Sequence, residues 1–428
     1  MALIVQKFGG SSVADAEKIR RCAQRAYDAR RSGNDVVVVV SAMGRTTDRL
    51  IELAQDIAPN PPKREMDQLL ATGEQVTIAL TAMALHALGQ ESVSLTGAQC
   101  GFRTDGTHTR ARIVAVEEDR IRRHLRAGRV VVVAGFQGVA EDGSTTTLGR
   151  GGSDTTAVAL AAALKADACE IFTDVDGVYT ADPRVVPDAR KLPRISHEEM
   201  LELASLGAKV MASRSILLGM KHQVPIHVRH SLLPDAGTMI VQETPDMEQD
   251  LVTGVALKPS LGRVTLTDLP NAAGIQARIF DAIAAANVLV DDIIQTQVGP
   301  ERLDISFTVD HAELGDVKPV ADRIVAELGR GSVKVDVGLC KVSAVGVGMR
   351  SHSGIASTMF HALASAEDGP IRIENITTSE IRISCIIPKE DGERALRAVH
   401  AAFGLGERPH AGSEAVGEVK RAGTPAAT

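Results

Sequence analysis

The first 245 residues alternate short apolar runs with amphipathic segments, as strands alternate with helices. The two most uniform runs, residues 36–40 and 130–133, consist of valine alone. A strand with one face in water carries alternating polar positions, so these runs predict central strands that are covered on both faces. We therefore expect a mainly parallel α/β sheet whose ligands bind at the carboxyl ends of its strands.

The second part of the chain contains an internal repeat with a shift of 80 residues. The repeated positions are Gly274, Ile275, Phe280, Ala282, Ala284 and Ala286, which recur as Gly354, Ile355, Phe360, Ala362, Ala364 and Ala366. A valine-rich strand precedes each copy, and two more strands follow each predicted helix. The repeat therefore predicts two βαββαβ modules of about 75 residues each.

Composition and charge narrow the classes of function. A net charge of −7, an aromatic content of 2% and the absence of tryptophan argue against nucleic-acid binding. The five cysteines are far apart, which predicts reduced thiols in a cytoplasmic protein without a disulfide or a protein-held metal. No segment is apolar enough to predict a membrane span or a leader. The histidines show no metal-ligand spacing, and we expect His197, His222, His227 and His230 at the surface.

Two glycine-rich segments, residues 5–12 and 147–156, share one design. Each leaves an apolar strand, crosses two adjacent glycines with hydroxyl residues, and leads into a predicted helix. Glycines let the backbone approach an anion, and the amides at a helix start point at it. The first segment carries Lys7 and is neither a Walker A sequence nor a protein-kinase glycine loop. Because the second carries Arg150 and Asp154, the pair predicts phosphoryl transfer between two anions.

Each of these charged residues also has a plainer interpretation. Lys7 could be a strand-end lysine in water, Arg150 an exposed turn residue, and Asp154 a helix N-cap. In the functional interpretation Lys7 neutralises a transferring phosphate, and Arg150 binds a carboxylate through its planar guanidinium.

Glu74 lies at the start of a predicted helix, where a carboxylate often does no more than complement the helix dipole. The alternative is that Glu74 binds a substrate ammonium group. Ser41 and Thr47, which flank Gly44 after the second strand, would then act as hydroxyl donors.

A third polar cluster follows the predicted strand at 170–173 and offers acceptors for a ribose or adenine, a ring to pack on, and cations for phosphates. Its members are Thr173, Asp174, Asp176, Tyr179, Asp182 and Arg184, with Lys209 further along the chain. The alternative is a polar surface loop. A calcium site of the EF-hand type is excluded because its ligand spacing is absent.

Residues 7–13, 149–156 and 173–184 together resemble, in this order, the motifs of bacterial aspartate kinases, and the resemblance covers nearly the whole chain. It implies an amino-acid-kinase αβα sandwich over residues 1–245. It further implies two ACT domains of the ferredoxin-like type. We expect one over 263–336 and the other over 251–258 together with 341–405, followed by a flexible tail over 406–428.

The implied activity is the ATP-dependent phosphorylation of the β-carboxylate of L-aspartate to 4-phospho-L-aspartate, the first step toward lysine, threonine and methionine. The resemblance places ATP at Lys7, Gly9, Gly10, Ser11, Thr173, Asp174, Tyr179, Arg184 and Lys209. It places aspartate at Ser41, Thr47, Glu74, Arg150, Gly151 and Ser153. The catalytic residues are then Lys7, Arg150 and Asp154, with Asp154 orienting Lys7, and Mg²⁺ is expected mainly on the ATP oxygens.

The sensing half of the chain, residues 251–405 with the two predicted ACT domains, departs from the family pattern. Family members usually carry Asp-Lys-Pro-Gly where this chain has Asn-Ala-Ala-Gly at 271–274, Ser353 replaces a usual proline, and Arg372 replaces a frequent asparagine. We therefore expect weakened feedback by threonine and lysine. The residues that the resemblance assigns to effector binding are Asn271, Gly274, Ile275, Gln276, Val290, Asp291, Gln295, Ile373, Glu374 and Ser379.

The resemblance also implies a homo-oligomer that forms through the ACT domains, with a possible shorter regulatory chain that starts internally, for example at Met247. Two other functions remain open at this stage. One is a related kinase that acts on glutamate or acetylglutamate, and the other is an amino-acid-sensing regulator with an inactive kinase domain. An assay of ATP turnover with each amino acid distinguishes them.

Overall fold

The computed structural model describes residues 2–208 and 210–406 of the 428-residue chain. Lys209, which the sequence analysis assigns to the nucleotide site, and residues 407–428 of the predicted tail lie outside the described residues. Gly406, the first residue of that tail, forms an isolated antiparallel bridge with Ala189.

Strands and helices alternate through the first part of the described chain and recur in two modules after it. The strands are β1 (Leu3–Phe8), β2 (Asp35–Val40), β3 (Ser92–Leu95), β4 (Phe102–Thr104), β5 (Ile113–Val116), β6 (Val130–Ala134), β7 (Gln137–Val139), β8 (Thr145–Thr147), β9 (Ala168–Thr173), β10 (Val178–Tyr179), β11 (Lys191–Leu192), β12 (Arg194–Ser196), β13 (Ile226–His230), β14 (Thr238–Val241), β15 (Gly254–Pro270), β16 (Ile293–Gly299), β17 (Arg302–Asp310), β18 (Ser332–Val345), β19 (Asn375–Thr378) and β20 (Arg382–Pro388). The α-helices are α1 (Ala16–Arg31), α2 (Thr46–Ile57), α3 (Lys63–Leu70), α4 (Thr72–Ala87), α5 (Asp119–Arg126), α6 (Gly152–Leu164), α7 (His197–Ser205), α8 (Ser213–His222), α9 (Ile275–Ala285), α10 (Leu314–Leu328), α11 (Ile355–Ala364) and α12 (Gly392–Ala402).

An eight-stranded sheet organises the first part of the chain, in the order β12-β14-β13-β9-β1-β2-β6-β3. Its neighbouring strands are parallel except for the antiparallel pair of β13 and β14. The two valine runs form β2 and most of β6, and each of these valines is fully buried. The predicted central strands are thus confirmed.

Helices cover both faces of this sheet, because successive strand residues point to opposite sides. Val36, Val38 and Val40 pack into an apolar cluster with α1 and α4. Val37 and Val39 pack into a second cluster with α6 and α8. The predicted αβα sandwich is confirmed.

A six-stranded antiparallel sheet follows, in the order β16-β17-β15-β18-β20-β19. Its two long strands are shared, because residues 254–258 of β15 pair with 341–345 of β18, whereas residues 263–267 pair with 332–336. One apolar cluster includes α9 and α10, and a separate one includes α11 and α12. The sheet thus carries two βαββαβ units, as the sequence predicts.

The internal repeat is visible in the start of α9 and α11. Gly274 and Gly354 are the N-cap residues of these helices and have φ values of 87° and 93°. Glycine adopts this left-handed region without the steric cost that a Cβ brings. The two helices thus begin in the same way, 80 residues apart.

The part of the chain that contains the eight-stranded sheet and the second module are in direct contact. The Thr180 hydroxyl lies 2.9 Å from Nε2 of His400, and both residues are buried. The buried carboxylate of Glu199 in α7 accepts hydrogen bonds from the Thr253 hydroxyl (2.6 Å) and the Val347 amide (3.1 Å). Segments on either side of the junction are therefore joined by polar bonds inside a water-excluded interface.

The prediction that His197 lies at the surface is wrong. His197 is 2% exposed, its Nε2 lies 3.0 Å from the carbonyl oxygen of Val224, and burial lowers its pKa. His197 is the first residue of α7 and packs against α8. A Cβ on Gly219 in α8 would lie 3.4 Å from the His197 ring.

The five cysteines are all free and buried. In the described part of the chain, no helix combines the length and the apolar character needed to cross a bilayer. The cytoplasmic location stays a prediction.

Candidate active site

Several loops meet at the carboxyl edge of the large sheet, where β1, β2, β6 and β9 end. The Gly9 amide, after β1, donates to the carbonyl of Phe172 in β9 (3.2 Å). The Gly135 amide, after β6, donates to the carbonyl of Val40 in β2 (3.0 Å). These bonds hold the loops side by side, at the edge where open α/β sheets bind ligands.

The first glycine loop approaches its neighbour too closely for side chains. A Cβ on Gly10 would lie 3.0 Å from the carbonyl oxygen of Ala42 and 3.3 Å from that of Gly44. A 3-10 turn, Gly10–Val13, follows, in which Ser11 is exposed. The first amides of such a turn have no acceptor within it, so they are available to an anion.

Lys7, the penultimate residue of β1, forms an ion pair. Its Nζ lies 2.6 Å from Oδ1 of Asp154, and the two side chains are only 10% and 12% exposed. A Cβ on Gly9 would lie 3.5 Å from the same Nζ. The N-cap of α6 is Gly151 rather than Asp154. Asp154 thus faces Lys7, and Lys7 is not a strand-end lysine in water.

The second glycine loop joins β8 to α6 and carries Arg150. Gly149 and Gly151 have φ values of 79° and 68°, a region that favours glycine. Arg150 between them is exposed and makes no hydrogen bond or ion pair with the residues that the structure describes. A Cβ on Gly135 would lie 2.8 Å from Oγ of Ser153, so the start of α6 packs directly on the loop after β6.

Glu74 is a buried carboxylate near the start of α4. The residue is only 3% exposed. Its Oε1 accepts a hydrogen bond from the Ala42 amide (3.0 Å). Oε2 is buried and makes no hydrogen bond within the described chain. Burial raises the pKa of Glu74 to about 7. Ser41 is half-buried on the loop that contains Ala42. Thr47 is half-buried in the first turn of α2.

The residues predicted to bind nucleotide begin at the same sheet edge and continue away from it. Thr173 ends β9, which pairs with β1, and exposed Asp174 follows it. Tyr179 lies in β10. Arg184 is exposed and pairs with Asp182 at 2.7 Å. The structure therefore brings Thr173 close to the first glycine loop and leaves Arg184 on the surface.

Lys191 is a cation of this region that the sequence analysis missed. Its Nζ lies 3.1 Å from Oδ2 of Asp176 and also pairs with Asp235. The Tyr179 hydroxyl donates to the same Asp176 carboxylate (3.0 Å). No local pattern announces this cluster, because Asp176 and Asp235 lie 15 and 44 residues from Lys191.

Asp67 is a second residue that the sequence analysis missed, although the pattern of its helix indicates it. Asp67 and Leu70 are the two buried residues of α3, so a charge occupies the inward face of an amphipathic helix. Such a charge must find partners inside the protein.

Several of the predicted effector residues of the first module are engaged with one another or with neighbours. Gln276 in α9 donates to Oε1 of Gln295 in β16 (2.8 Å). Asp291 pairs with Lys341 at 2.6 Å and with Lys258 at 3.5 Å. The remaining residues assigned to this module are Asn271, Gly274, Ile275 and Val290.

The predicted effector residues of the second module have different surroundings. Glu374 pairs with Arg372 at 3.1 Å and with Arg263 at 3.4 Å. Ser379 lines a cavity of about 210 Å³ next to Gly354, and Ile373 packs against the apolar core of the module.

The described site offers complementary charges to two different groups. A buried ammonium lies between two glycine loops, an arginine is free at the second loop, and a buried carboxylate oxygen of Glu74 is free beside the first. This arrangement can hold a phosphate next to a molecule that carries both an ammonium group and carboxylates.

Known proteins share these sequence and structural features. The amino acid kinase family matches residues 2–230, and the ACT domain matches residues 342–403. An aspartate kinase of Stutzerimonas stutzeri is 50% identical over 406 residues, which are 95% of this chain and 98% of that protein.

Solved structures of Escherichia coli aspartokinase III are similar over 94% of this chain and 99% of that protein. The complex with aspartate and ADP, in the R-state, has a TM-score of 0.76 at 27% identity. The complex with lysine and aspartate, in the T-state, has a TM-score of 0.72 at 26% identity. These relatives are similar to the chain over nearly its whole length, and the chain belongs to the aspartate kinases of the amino acid kinase family.

Proposed function

We propose that this chain transfers the γ-phosphoryl group of ATP to the β-carboxylate of L-aspartate, which yields 4-phospho-L-aspartate and ADP. The observation that carries the proposal is one arrangement at the sheet edge. The Lys7–Asp154 pair, 2.6 Å long, shares that edge with Glu74, whose Oε2 lacks a partner among the described residues. The E. coli relative that binds aspartate and ADP supports both substrates.

The phosphates of ATP lie against the first glycine loop in this proposal. Their ligands are Lys7, Gly9, Gly10 and Ser11, and the rest of the nucleotide runs along Thr173, Asp174, Tyr179, Arg184 and Lys209. Within the described residues, no three His, Cys, Asp or Glu side chains are grouped so as to hold a metal. As the family resemblance implies, we place Mg²⁺ on the ATP oxygens, where it neutralises phosphate charge.

Aspartate binds between Glu74 and Arg150. The free oxygen of Glu74 accepts from the substrate ammonium, and the free guanidinium of Arg150 binds the α-carboxylate bidentately. The β-carboxylate is left to face the phosphate. The remaining contacts come from Ser41, Thr47, Gly151 and Ser153, which line the loops around this space.

The chemistry needs charge neutralisation rather than a base. A β-carboxylate with a pKa of about 3.9 is ionised at neutral pH and is itself the nucleophile. Its attack on a phosphate is opposed by anion–anion repulsion and needs in-line positioning. Lys7 and the loop amides stabilise the phosphate charge, and Asp154 keeps Lys7 aimed at it. Lys7 acts on the transferring phosphate and Arg150 holds the aspartate, whereas Asp154 orients Lys7.

We propose the division of the chain that the resemblance implies. The catalytic domain spans 1–245, the first ACT domain 263–336, and the second 251–258 together with 341–405, with a tail at 406–428. The separate apolar clusters of the two modules and the pairing of 254–258 with 341–345 support these boundaries.

The ACT domains sense amino acids and join copies of the chain in this proposal. The outer strand β16 exposes Ile293 (55%) and Val298 (51%), and β19 exposes Ile376 (44%). Unpaired strand edges of this kind favour pairing with another copy. The T-state of the E. coli relative contains lysine, which supports lysine as an effector here. Threonine and a shorter regulatory chain are further expectations.

A substrate panel tests the function. The purified full chain, MgATP and hydroxylamine are mixed with L-aspartate, L-glutamate or N-acetyl-L-glutamate, because hydroxylamine traps acyl phosphates as hydroxamates. We expect hydroxamate with aspartate, and kcat/KM at least about 100-fold lower for the two longer substrates. Preference for either longer substrate contradicts the proposal. Absence of product with all three indicates a sensing protein with an inactive kinase domain.

A further inference from the structure

Asp67 is a buried carboxylate that the chemistry above does not use. It is fully shielded from solvent and has no lysine or arginine partner among the described residues. Its oxygens accept hydrogen bonds from the Thr109 amide (3.0 and 3.1 Å) and the Thr147 hydroxyl, and Nδ1 of His108 lies 2.8 Å away. Burying a carboxylate costs free energy that apolar packing would avoid, so its bonds point to a role in positioning.

The bonds to Asp67 hold a strained residue. Thr109 has a φ of 69°, which is unfavourable for a β-branched side chain. Such strain persists only where the surroundings enforce it, and it clusters at functional sites. Here both oxygens of Asp67 accept from the Thr109 amide and fix the peptide in this conformation.

The strained segment is packed against β8 and the start of the loop that carries Arg150. The Ala111 amide donates to the carbonyl of Thr147 (2.9 Å), and a Cβ on Gly149 would lie 3.0 Å from the carbonyl oxygen of Thr109. Arg214 completes the arrangement, because its guanidinium donates to the carbonyls of Leu148 (3.0 Å) and Ala111 (2.8 Å). Each residue from 147 to 149 is thus held from outside its own segment.

We propose that Asp67 is a positioning residue for aspartate recognition. Through Thr147 and Thr109 it fixes the two backbone segments that set where Arg150 projects from the second glycine loop. The inference rests on the proposed binding of the aspartate carboxylate by Arg150. Asp67 itself touches no substrate, so its loss acts on aspartate binding through the placement of that guanidinium.

Two adjacent threonines of β8 provide a matched test. Thr147→Val removes the hydroxyl that bonds to Asp67. Thr146→Val removes a hydroxyl that is equally buried but lies 2.6 Å from the hydroxyl of Thr104 instead. We expect Asp67→Asn and Thr147→Val to raise the aspartate KM by about tenfold, because small displacements of a binding group are costly. The ATP KM stays within about twofold, and Thr146→Val changes neither KM.

Double variants with Arg150→Lys test whether Asp67 acts through Arg150. Because Lys lacks the bidentate guanidinium, Arg150→Lys raises the aspartate KM, and we expect Asp67→Asn to add less than about twofold on that background. If Asp67→Asn does not fold, Thr147→Val serves in its place.

The outcomes are distinguishable. If Thr147→Val behaves like Thr146→Val while Arg150→Lys raises KM, the positioning role is wrong and the aspartate site stands. Full additivity of Asp67→Asn and Arg150→Lys also overturns the positioning role. An unchanged KM in Arg150→Lys overturns the proposed aspartate site itself.

Discussion

The ammonium of Lys7 lies 2.6 Å from the carboxylate of Asp154, although the two residues are 147 positions apart in the chain. The pair is nearly buried and lies beside the glycine at position 9. A buried charge that loses its partner is strongly destabilised. In the proposed mechanism, the pair fixes a cation where phosphate charge develops.

Removal of either member of this pair lowers kcat. We expect Lys7→Ala to reduce kcat by about 100-fold or more, because a fixed donor to transition-state charge is lost. Asp154→Asn lowers kcat by a smaller factor, since Lys7 remains but is no longer anchored. The aspartate KM changes little in both. Steady-state kinetics measures these effects, with Lys165→Ala, at the exposed end of the same helix, as the control. A kcat for Lys7→Ala within about tenfold of wild type would contradict this role.

The elevated pKa of Glu74 predicts a pH dependence of aspartate use. Burial raises this pKa to about 7, so below that pH the carboxyl is neutral in the free enzyme and cannot pair with an ammonium group. We expect kcat/KM for aspartate, at saturating MgATP, to fall about tenfold per pH unit below this value. In Glu74→Gln this decline disappears and kcat/KM is low throughout. A decline that persists in Glu74→Gln would assign it to another group.

The raised pKa of Glu74 also makes the free energy of unfolding depend on pH, and for stability the neutral carboxyl is the favourable form. The folded-state pKa exceeds the unfolded value of 4.5, so the folded protein holds the proton more tightly. The stabilisation is present below about pH 4.5 and is lost as the pH rises through about 7, an effect of about 3 kcal/mol. Urea unfolding at both ends of this range should show the loss in wild type but not in Glu74→Gln.

Local patterns in the sequence predict the parts of the fold that local chemistry determines. The valine runs predict β2 and β6, and the glycines at 9, 10, 149 and 151 predict close backbone approach, because both depend on neighbouring residues alone. The repeat likewise predicts the two modules, since each copy contains the same strand and helix order.

The rest depends on partners that are distant in the chain. No local pattern near Lys7 indicates that Asp154 rather than water will face its ammonium, and only the family resemblance predicts this pair. His197 reads as a polar surface residue, yet packing against the segment at Val224 buries it. Asp67 shows only that a charge lies on an inward helix face, and its partners at 108, 109 and 147 follow from the tertiary fold.

Feedback inhibition provides a prediction for the sensing half. Asn271 stands where the family resemblance implies an aspartate, so a charge-assisted contact to an effector ammonium, worth about 1.5–3 kcal/mol, is lost if that contact is direct. Asp291, which could replace it, is paired with Lys341 and Lys258. We therefore expect threonine and lysine together to inhibit only weakly. Half-inhibition by the pair below about 1 mM would contradict this expectation.

The reverse substitutions test the same explanation. Asn271→Asp combined with Ala273→Pro should tighten inhibition about tenfold or more and leave the uninhibited kcat unchanged. The Ala273 amide makes no backbone hydrogen bond within the described residues, so proline removes none at this position. Titration of both enzymes with the two amino acids measures the difference, and equal inhibition curves would show that these positions do not set the affinity.

The central claim is that Arg150 holds aspartate while Lys7 acts on the phosphate, and calorimetric titration of aspartate into wild type, Arg150→Lys and Lys7→Ala tests it most directly. Lys cannot reproduce the bidentate contact of Arg150, whereas loss of Lys7 removes an interaction with the nucleotide rather than with aspartate. We expect the Kd for aspartate to rise about tenfold or more in Arg150→Lys and to stay within about threefold of wild type in Lys7→Ala. An unchanged Kd in Arg150→Lys, or an equal rise in both variants, would contradict the account.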